Sequence, residues 1–207
     1  VEWKAILILD APQDNSAKIA FELIRGLPVT IVINDKRKGL GYNLWYGIKH
    51  CGAEDEDVVC ILDADDWLDK KAFAIVKKMY ERTNCLVTYG SYIKLSKGRK
   101  TKVSRPYNSH DSVRTGKWHG SHLKTFKYKL WKHFPKEYLQ YKGEWAEAAS
   151  DRGLMYGIME IAGLKNCRHI KEPIYYWRDN TPSKTNVRLQ KKWDDIFRKM
   201  TVLKERY

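Results

Sequence analysis

Long apolar runs are missing from this chain. Nowhere does it hold the roughly 20 consecutive apolar residues that a membrane-spanning helix requires. Residues 1–10 show no basic start followed by a long apolar stretch, so no secretory leader is read there, and a first residue other than Met leaves room for an upstream segment. Cysteine is scarce. Cys51, Cys60, Cys85 and Cys167 form no C-x-x-C pair, which argues against a zinc site and a disulfide framework and for reduced thiols in the cytoplasm. Internal repeats and low-complexity tracts are lacking too. Acidic residues run short: 25 Asp and Glu face 39 Lys and Arg, a net charge of +14. The basic residues are spread along the chain instead of filling one tail. The charge therefore suits the phosphates of a small molecule, an anionic surface, a nucleic acid or solubility alone, and does not choose among them.

What is present is the material of a folded α/β domain. Hydrophobic residues make up 43% of the 207 and aromatics 13%, which excludes intrinsic disorder and allows a substantial core. Residues 4–9, 29–33 and 58–62 are continuous apolar or β-branched runs, the pattern of strands buried on both faces. Between them, helices are expected over about 16–24, opened by Asp14-Asn15-Ser16, and over 39–50. A helix at 70–82 and a strand at 85–95 follow. This alternation predicts an α/β layer with a largely parallel sheet. Further on, helices are expected at 122–134, 150–162 and 187–206 and a strand at 170–177. A polar, basic loop is expected at 100–120, in the position of a lid or binding loop. The last helix has Trp193, Ile196, Phe197, Met200 and Leu203 on one stripe and Arg188, Lys191, Lys192, Arg198, Lys199 and Lys204 off it. Packing of the stripe on the core, with a solvated basic face, is expected over attachment to an anionic membrane surface.

The chemistry concentrates in Asp63-Ala64-Asp65-Asp66, directly after the third strand. In extended geometry Asp63 and Asp65 point to one face, and two neighbouring carboxylates repel unless a cation or a proton intervenes. A hard divalent ion, Mg²⁺ or Mn²⁺, prefers oxygen ligands and is commonly held by one or two carboxylates together with substrate phosphates. Ligands of open α/β sheets also bind beyond the carboxyl ends of the strands. The alternative is an acidic turn that caps the following helix, a task Asp66 or Asp69 could perform.

Three ordered motifs then carry a resemblance: Asp10-Ala11-Pro12-Gln13-Asp14-Asn15-Ser16, the stretch from Asn34 through Gly39-Leu40 and Asn43 to Gly47-Ile48, and Asp63-Ala64-Asp65. Together they resemble the nucleotide-binding half of family 2 glycosyltransferases. The resemblance implies the α/β GT-A fold of nucleotide-diphospho-sugar transferases, with a mixed, mostly parallel central sheet flanked by helices. It implies one domain over 1–207: a nucleotide-sugar-binding half at 1–95, an acceptor-side half at 96–186 and a C-terminal helix. It assigns Asp10 to the nucleotide base, Lys38 and Gly39 to a segment beside base and phosphates, Asp63 to the ribose side and Asp65 to a Mn²⁺ or Mg²⁺ ion on the diphosphate, with Asp66 a weaker candidate. The family's earlier strand and helix, with their base-holding turn, have no counterpart here.

On the acceptor side, Ser150-Asp151 before Leu154, Met155 and Ile158 resembles the family's acidic pair at a helix start and implies Asp151 as the catalytic base. The other reading is a helix-start charge favourable to the dipole. Glu144 and Glu147 are fallback bases. Tyr176-Trp177-Arg178 through Ser183 resembles a family segment that offers Arg178 to donor phosphate, a match of guanidinium to phosphate geometry. Asn180 stands where a histidine is common, which removes a histidine metal ligand. Trp118, His119 and His122, in or beside the polar loop, are weaker acceptor-contact candidates: aromatic faces stack on sugars and imidazoles bond hydroxyls. The implied activity is an inverting, metal-dependent transfer from a nucleotide-sugar, a UDP-sugar first, to a glycan or glycoprotein hydroxyl, with no nucleic-acid partner. A nucleotidyltransferase with a paired-aspartate Mg²⁺ site and a basic nucleic-acid-binding module are the alternatives. Such domains also occur in large algal DNA viruses that glycosylate their capsids. The Trp- and Lys-rich composition is compatible with that setting, which would place the protein in the host cytoplasm.

Overall fold

The structure, a computed structural model, describes residues 1–96, 99–102, 104–108, 112–178 and 184–207. Its chain order is β1 (Ala5–Asp10), α1 (Ser16–Leu23), β2 (Val29–Asn34), α2 (Leu40–His50), β3 (Val58–Ile61), β4 (Trp67–Leu68), α3 (Ala72–Thr83), β5 (Val87–Ser96), β6 (Arg99–Lys102), β7 (Lys124–Lys127), β8 (Gln140–Tyr141), β9 (Glu144–Trp145), α4 (Ser150–Ala162), β10 (Cys167–Arg178) and α5 (Lys184–Lys199). Single 3₁₀ segments, Tyr128–His133, Lys136–Leu139 and Leu164–Asn166, link several of these.

The first two strands pair in parallel, from Ala5 with Val29 to Asp10 with Asn34, so their carboxyl ends present Asp10 and Asn34 side by side. They form a two-stranded sheet of their own. The larger sheet has the order β3-β7-β5-β10-β4, with β6 against the later part of β5. Among the described residues, parallel pairing is confined to β1–β2 and β5–β10. The sheets are thus mixed, and the expectation of one largely parallel sheet over 1–95 is corrected.

The reason lies in β7. The stretch expected as a helix at 122–134 supplies a strand that inserts antiparallel between β3 and β5. Leu123, Lys124, Thr125 and Phe126 are all buried, and their alternation decides the matter. Phe126 joins the core on the α4 side, whereas Leu123 joins the core on the α3 side. The Thr125 hydroxyl is bonded to those of Tyr80 (2.9 Å) and Thr88 (2.6 Å). A segment covered on both faces forms a strand whatever its helical spacing suggests.

Helix α4 is the axis of the main core: Leu154, Met155, Tyr156, Ile158 and Met159 are fully buried. Helix α5 lays Trp193 and Phe197 against it. Gly153 makes this contact possible, because a Cβ there would stand 2.7 Å from the Phe197 ring. The last helix ends at Lys199 and not near 206 as expected. The chain beyond it runs back along α4, with Leu203 N–H on Glu160 Oε2 (2.9 Å) and Arg206 N–H on the Ile161 carbonyl (2.9 Å). The buried Arg114 fastens this corner: its guanidinium bonds the Glu160 carboxylate and the carbonyls of Phe197 (2.5 Å) and Met200 (2.9 Å). The end of the polar stretch at 100–120 is therefore anchored core, not an open lid. Residues 103 and 109–111 of that stretch lie outside the described residues. No helix among the described residues is long and apolar enough to cross a membrane.

Candidate functional site

The donor-side residues meet at the carboxyl ends of β1 and β2. Asp10 Oδ1 accepts from Asn34 Nδ2 (2.8 Å) and Lys38 N–H (2.8 Å), and Oδ2 accepts from Gly39 N–H (2.9 Å). Asn34 also donates to Asn43 Oδ1 at 2.8 Å. Burial pushes the Asp10 carboxyl up, but these hydrogen bonds outweigh it and hold the group below the usual carboxylate range. Asp10, Lys38 and Gly39, expected together, are thus bonded directly, and the carboxylate fixes the segment's path. Gly39, at φ 84°, needs glycine's freedom. Gly41 needs glycine's size: a Cβ there would lie 2.9 Å from the Ala146 backbone, to which Gly41 N–H donates (2.8 Å). This contact locks the start of α2 to the β8–β9 hairpin. Tyr42, Trp45 and Trp145 gather at the same corner, each pair of rings within 6.0 Å, with Lys38 over Tyr42. That aromatic corner was not foreseen. The aromatic pair three apart in α2 is its only signal in the sequence.

The acidic turn follows β3. Asp66 is engaged on both oxygens. Its Oδ2 accepts the Tyr175 hydroxyl (2.6 Å) and its Oδ1 the backbone N–H of Arg178 (2.8 Å), so it ties the turn to β10. Asp69 caps locally, accepting from Lys71 N–H at 2.9 Å. Of the capping alternative, only Asp69 acts near the start of α3, which has no side-chain cap hydrogen bond at its N-cap Lys71, while Asp66 braces β10 instead. Asp63 and Asp65 lie on the exposed part of the turn. The Asp63 carboxyl is crowded by protein on several sides yet reached by solvent. Burial raises it to about 6; Lys124 opposes the rise, and Asp151, Asp66 and Asp65 add to it. Asp65 is exposed. Arg178 is exposed at the end of β10, engaged through its backbone. Residues 179–183, Asn180 among them, lie outside the described residues.

Asp151 stands in the first turn of α4, near enough to the acidic turn for its charge to act on Asp63. Its Oδ2 lies 2.7 Å from the ammonium of Lys124, a side chain 1% exposed. Lys124 also donates to the ring of His122, whose nitrogens lie at 3.2 and 3.3 Å. His122 stacks on Tyr175 with centroids 4.3 Å apart and meets Tyr92 edge-on at 5.6 Å. Burial and the neighbouring ammonium keep this imidazole neutral. The neutral ring lends Asp151 no charge. Burial pushes Asp151 up, and the Lys124 cation more than reverses this, holding the carboxylate ionised well below its ordinary range. Lys124 escaped sequence reasoning because 122–134 was read as a helix; as part of the alternating run from Leu123 to Phe126, it becomes a buried lysine in need of a partner.

The remaining candidates diverge. His122 belongs to this cluster. His119 is buried, its ring edge against Tyr107, and Trp118 packs at 5.0 Å on Tyr156 of α4. His119 is thus enclosed, and Trp118 is partly buried against the main core. The backbone is left-handed beside both key carboxylates, at Ala11 (φ 54°) after Asp10 and at Ala149 (φ 53°) before Asp151. For alanine this costs on the order of 1–2 kcal/mol each, strain held by the surrounding bonds.

No group of three or more histidine, cysteine or acidic side chains converges for a metal among the described residues. A divalent ion needs less when a diphosphate is present. Asp63 and Asp65 offer hard carboxylate oxygens of the kind such an ion takes. The donor set fits Mg²⁺ or Mn²⁺ on those terms.

The sequence profile described as Glycosyl transferase family 2 matches residues 2–141. Curated proteins give no match. Among solved structures, S. aureus TarS 1-349 in complex with UDP is 16% identical with a TM-score of 0.64, covering 95% of this chain and 56% of that one. The same protein with UDP-GlcNAc is 17% identical, TM-score 0.65, covering 88% and 51%. The mannosyltransferase PcManGT from Pyrobaculum calidifontis, in complex with GDP-Man and Mn²⁺, is 20% identical, TM-score 0.52, covering 88% and 49%. These likenesses show a shared GT-A fold, and this chain spans about half the length of those proteins.

Proposed function

We propose, from the premise that this chain belongs to glycosyl transferase family 2, that it transfers a sugar from a nucleoside-diphosphate donor to a hydroxyl of a glycan or glycoprotein acceptor, with inversion at the anomeric carbon. The carrying observation is that Asp63, just beyond the carboxyl end of β3, stands near enough to the Lys124–Asp151 ion pair at the start of α4 for both charges to act on it. A UDP-sugar is the proposed donor, supported by the fold shared with a protein seen with UDP and UDP-GlcNAc. Mn²⁺ or Mg²⁺ would be held by Asp65 and Asp63, supported by the donor set and by the Mn²⁺ of a third neighbour. The ion supplies charge neutralisation for the departing diphosphate.

This chain's own groups do the rest. The segment Lys38–Gly39, fastened to Asp10, frames the base end of the donor. Asp151 accepts the proton of the acceptor hydroxyl as that oxygen bonds to the anomeric carbon. The bond from that carbon to the diphosphate oxygen breaks on the opposite side, and the nucleoside diphosphate leaves with the electron pair. Four unpaired cysteines support the reducing cytoplasm as the location, the host's if the gene is viral. The test is release of UDP from UDP-GlcNAc with Mn²⁺, compared between the wild type and Asp151→Asn. Loss of at least about 100-fold in Asp151→Asn is expected for a general base. Unchanged turnover contradicts the assignment.

A further inference from the structure

We infer that Lys124 is the positioning residue of Asp151: its ammonium takes one carboxylate oxygen and leaves the other for the acceptor hydroxyl. The inference rests on the glycosyl-transfer reading above. Three observations carry it. Lys124 is almost wholly buried, and the 2.7 Å contact to Asp151 Oδ2 is a short charge-assisted bond. No hydrogen bond among the described residues reaches Asp151 Oδ1. Lys124 is itself held from behind by the ring of His122, which stacks on Tyr175 and meets Tyr92 edge-on.

The bonds form a continuous line. Asp151 meets Lys124, Lys124 meets His122, His122 stacks on Tyr175, and the Tyr175 hydroxyl ends on Asp66 of the acidic turn. The base and the donor-side turn are thereby built on one rigid frame. A lysine buried only for stability would need no such frame, since an apolar side chain of similar volume serves a core as well or better. An ammonium is a point donor on a flexible stem and occupies one oxygen, whereas an arginine fork engages both.

The experiment measures two quantities for the wild type, Lys124→Arg and Lys124→Met: kcat for UDP release from UDP-GlcNAc with Mn²⁺, water serving as acceptor, and the Kd of UDP with Mn²⁺ by calorimetry. A misplaced base costs turnover but not donor binding. The expected order is wild type, then Lys124→Arg about tenfold lower, then Lys124→Met about 100-fold lower or more, with every Kd within about threefold. Should Lys124→Met fail to fold, Lys124→Arg, which keeps the charge, decides alone by its loss of kcat at unchanged Kd. Variants that turn over like the wild type overturn the inference, as does a Kd that weakens in step with kcat. A wild type that neither binds UDP nor releases it from UDP-GlcNAc overturns the glycosyl-transfer reading, and this inference with it.

Discussion

The Tyr175 hydroxyl donates to Oδ2 of Asp66 at 2.6 Å, joining the middle of β10 to the turn after β3. The same hydroxyl stands 3.4 Å from the backbone N–H of Asp63. Burial raises the phenol well above its ordinary value, so it stays a donor throughout the working range. Tyr175→Phe removes this strut and leaves Asp66 with the Arg178 N–H alone. The expected cost is about 1–3 kcal/mol in urea unfolding, as for a hydrogen bond to a charged group. Weaker UDP binding should accompany it, because the turn that carries Asp63 and Asp65 loses its brace.

Asp10 makes the donor-side corner sensitive to acid. Its folded carboxyl lies below its ordinary value, so the stability it contributes is present above the unfolded value of 3.8 and is lost as the pH falls through the lower folded value. Asp10→Asn should flatten that part of the stability curve below about pH 4 and be less stable than the wild type at pH 7. Urea midpoints from pH 3 to 7 for the two proteins provide the check, and parallel curves would remove Asp10 from the account.

Gly41 offers a steric test. An added methyl would meet the Ala146 backbone at 2.9 Å, and backbone cannot swing aside as a long side chain can. Gly41→Ala is expected to cost about 1–3 kcal/mol, the usual penalty of overpacking, despite alanine's better helix propensity. A thermal midpoint above that of the wild type would show that propensity wins and that the α2–hairpin contact yields.

Arg114 and Glu160 form a buried ion pair, with side chains 4% and 7% exposed, in a corner remote from the carboxylate cleft. Arg114→Met strands the Glu160 carboxylate with only the Leu203 N–H and should destabilise by about 3–5 kcal/mol. UDP affinity of whatever fraction remains folded should be unchanged. Circular dichroism melts and calorimetry separate the two effects.

Much of this was legible in the sequence, for physical reasons. The strands at Ala5–Asp10, Val29–Asn34 and Val58–Ile61 announce themselves because they are uninterrupted apolar runs ending in polar turns. Helix α4 was placed to the residue, since the polar Ser150-Asp151 start and the closing Gly163 flank an apolar stripe. Strand β7 was hidden because one of its two lysines, Lys124, is buried against Asp151 far along the chain, which no local pattern announces. The same error hid the residue beside the proposed base. The resemblance ranks Asp65 above Asp66 as a ligand, and the long-range bonds from Tyr175 and Arg178 give Asp66 a bracing task that no local pattern announces. His119 illustrates the converse: its polar surroundings in the sequence make it a weak acceptor-contact candidate, and in the structure it is buried with its ring against Tyr107.

The central claim is that Asp65 and Asp63 bind the diphosphate of a nucleotide through a divalent ion. Calorimetric titration of UDP, GDP, dTDP and CMP into the wild type and Asp65→Ala, each with and without Mn²⁺, tests it most directly. The account predicts Mn²⁺-dependent binding of one nucleoside diphosphate, UDP first, that disappears in Asp65→Ala. Binding that is indifferent to Mn²⁺ and survives in Asp65→Ala would contradict it.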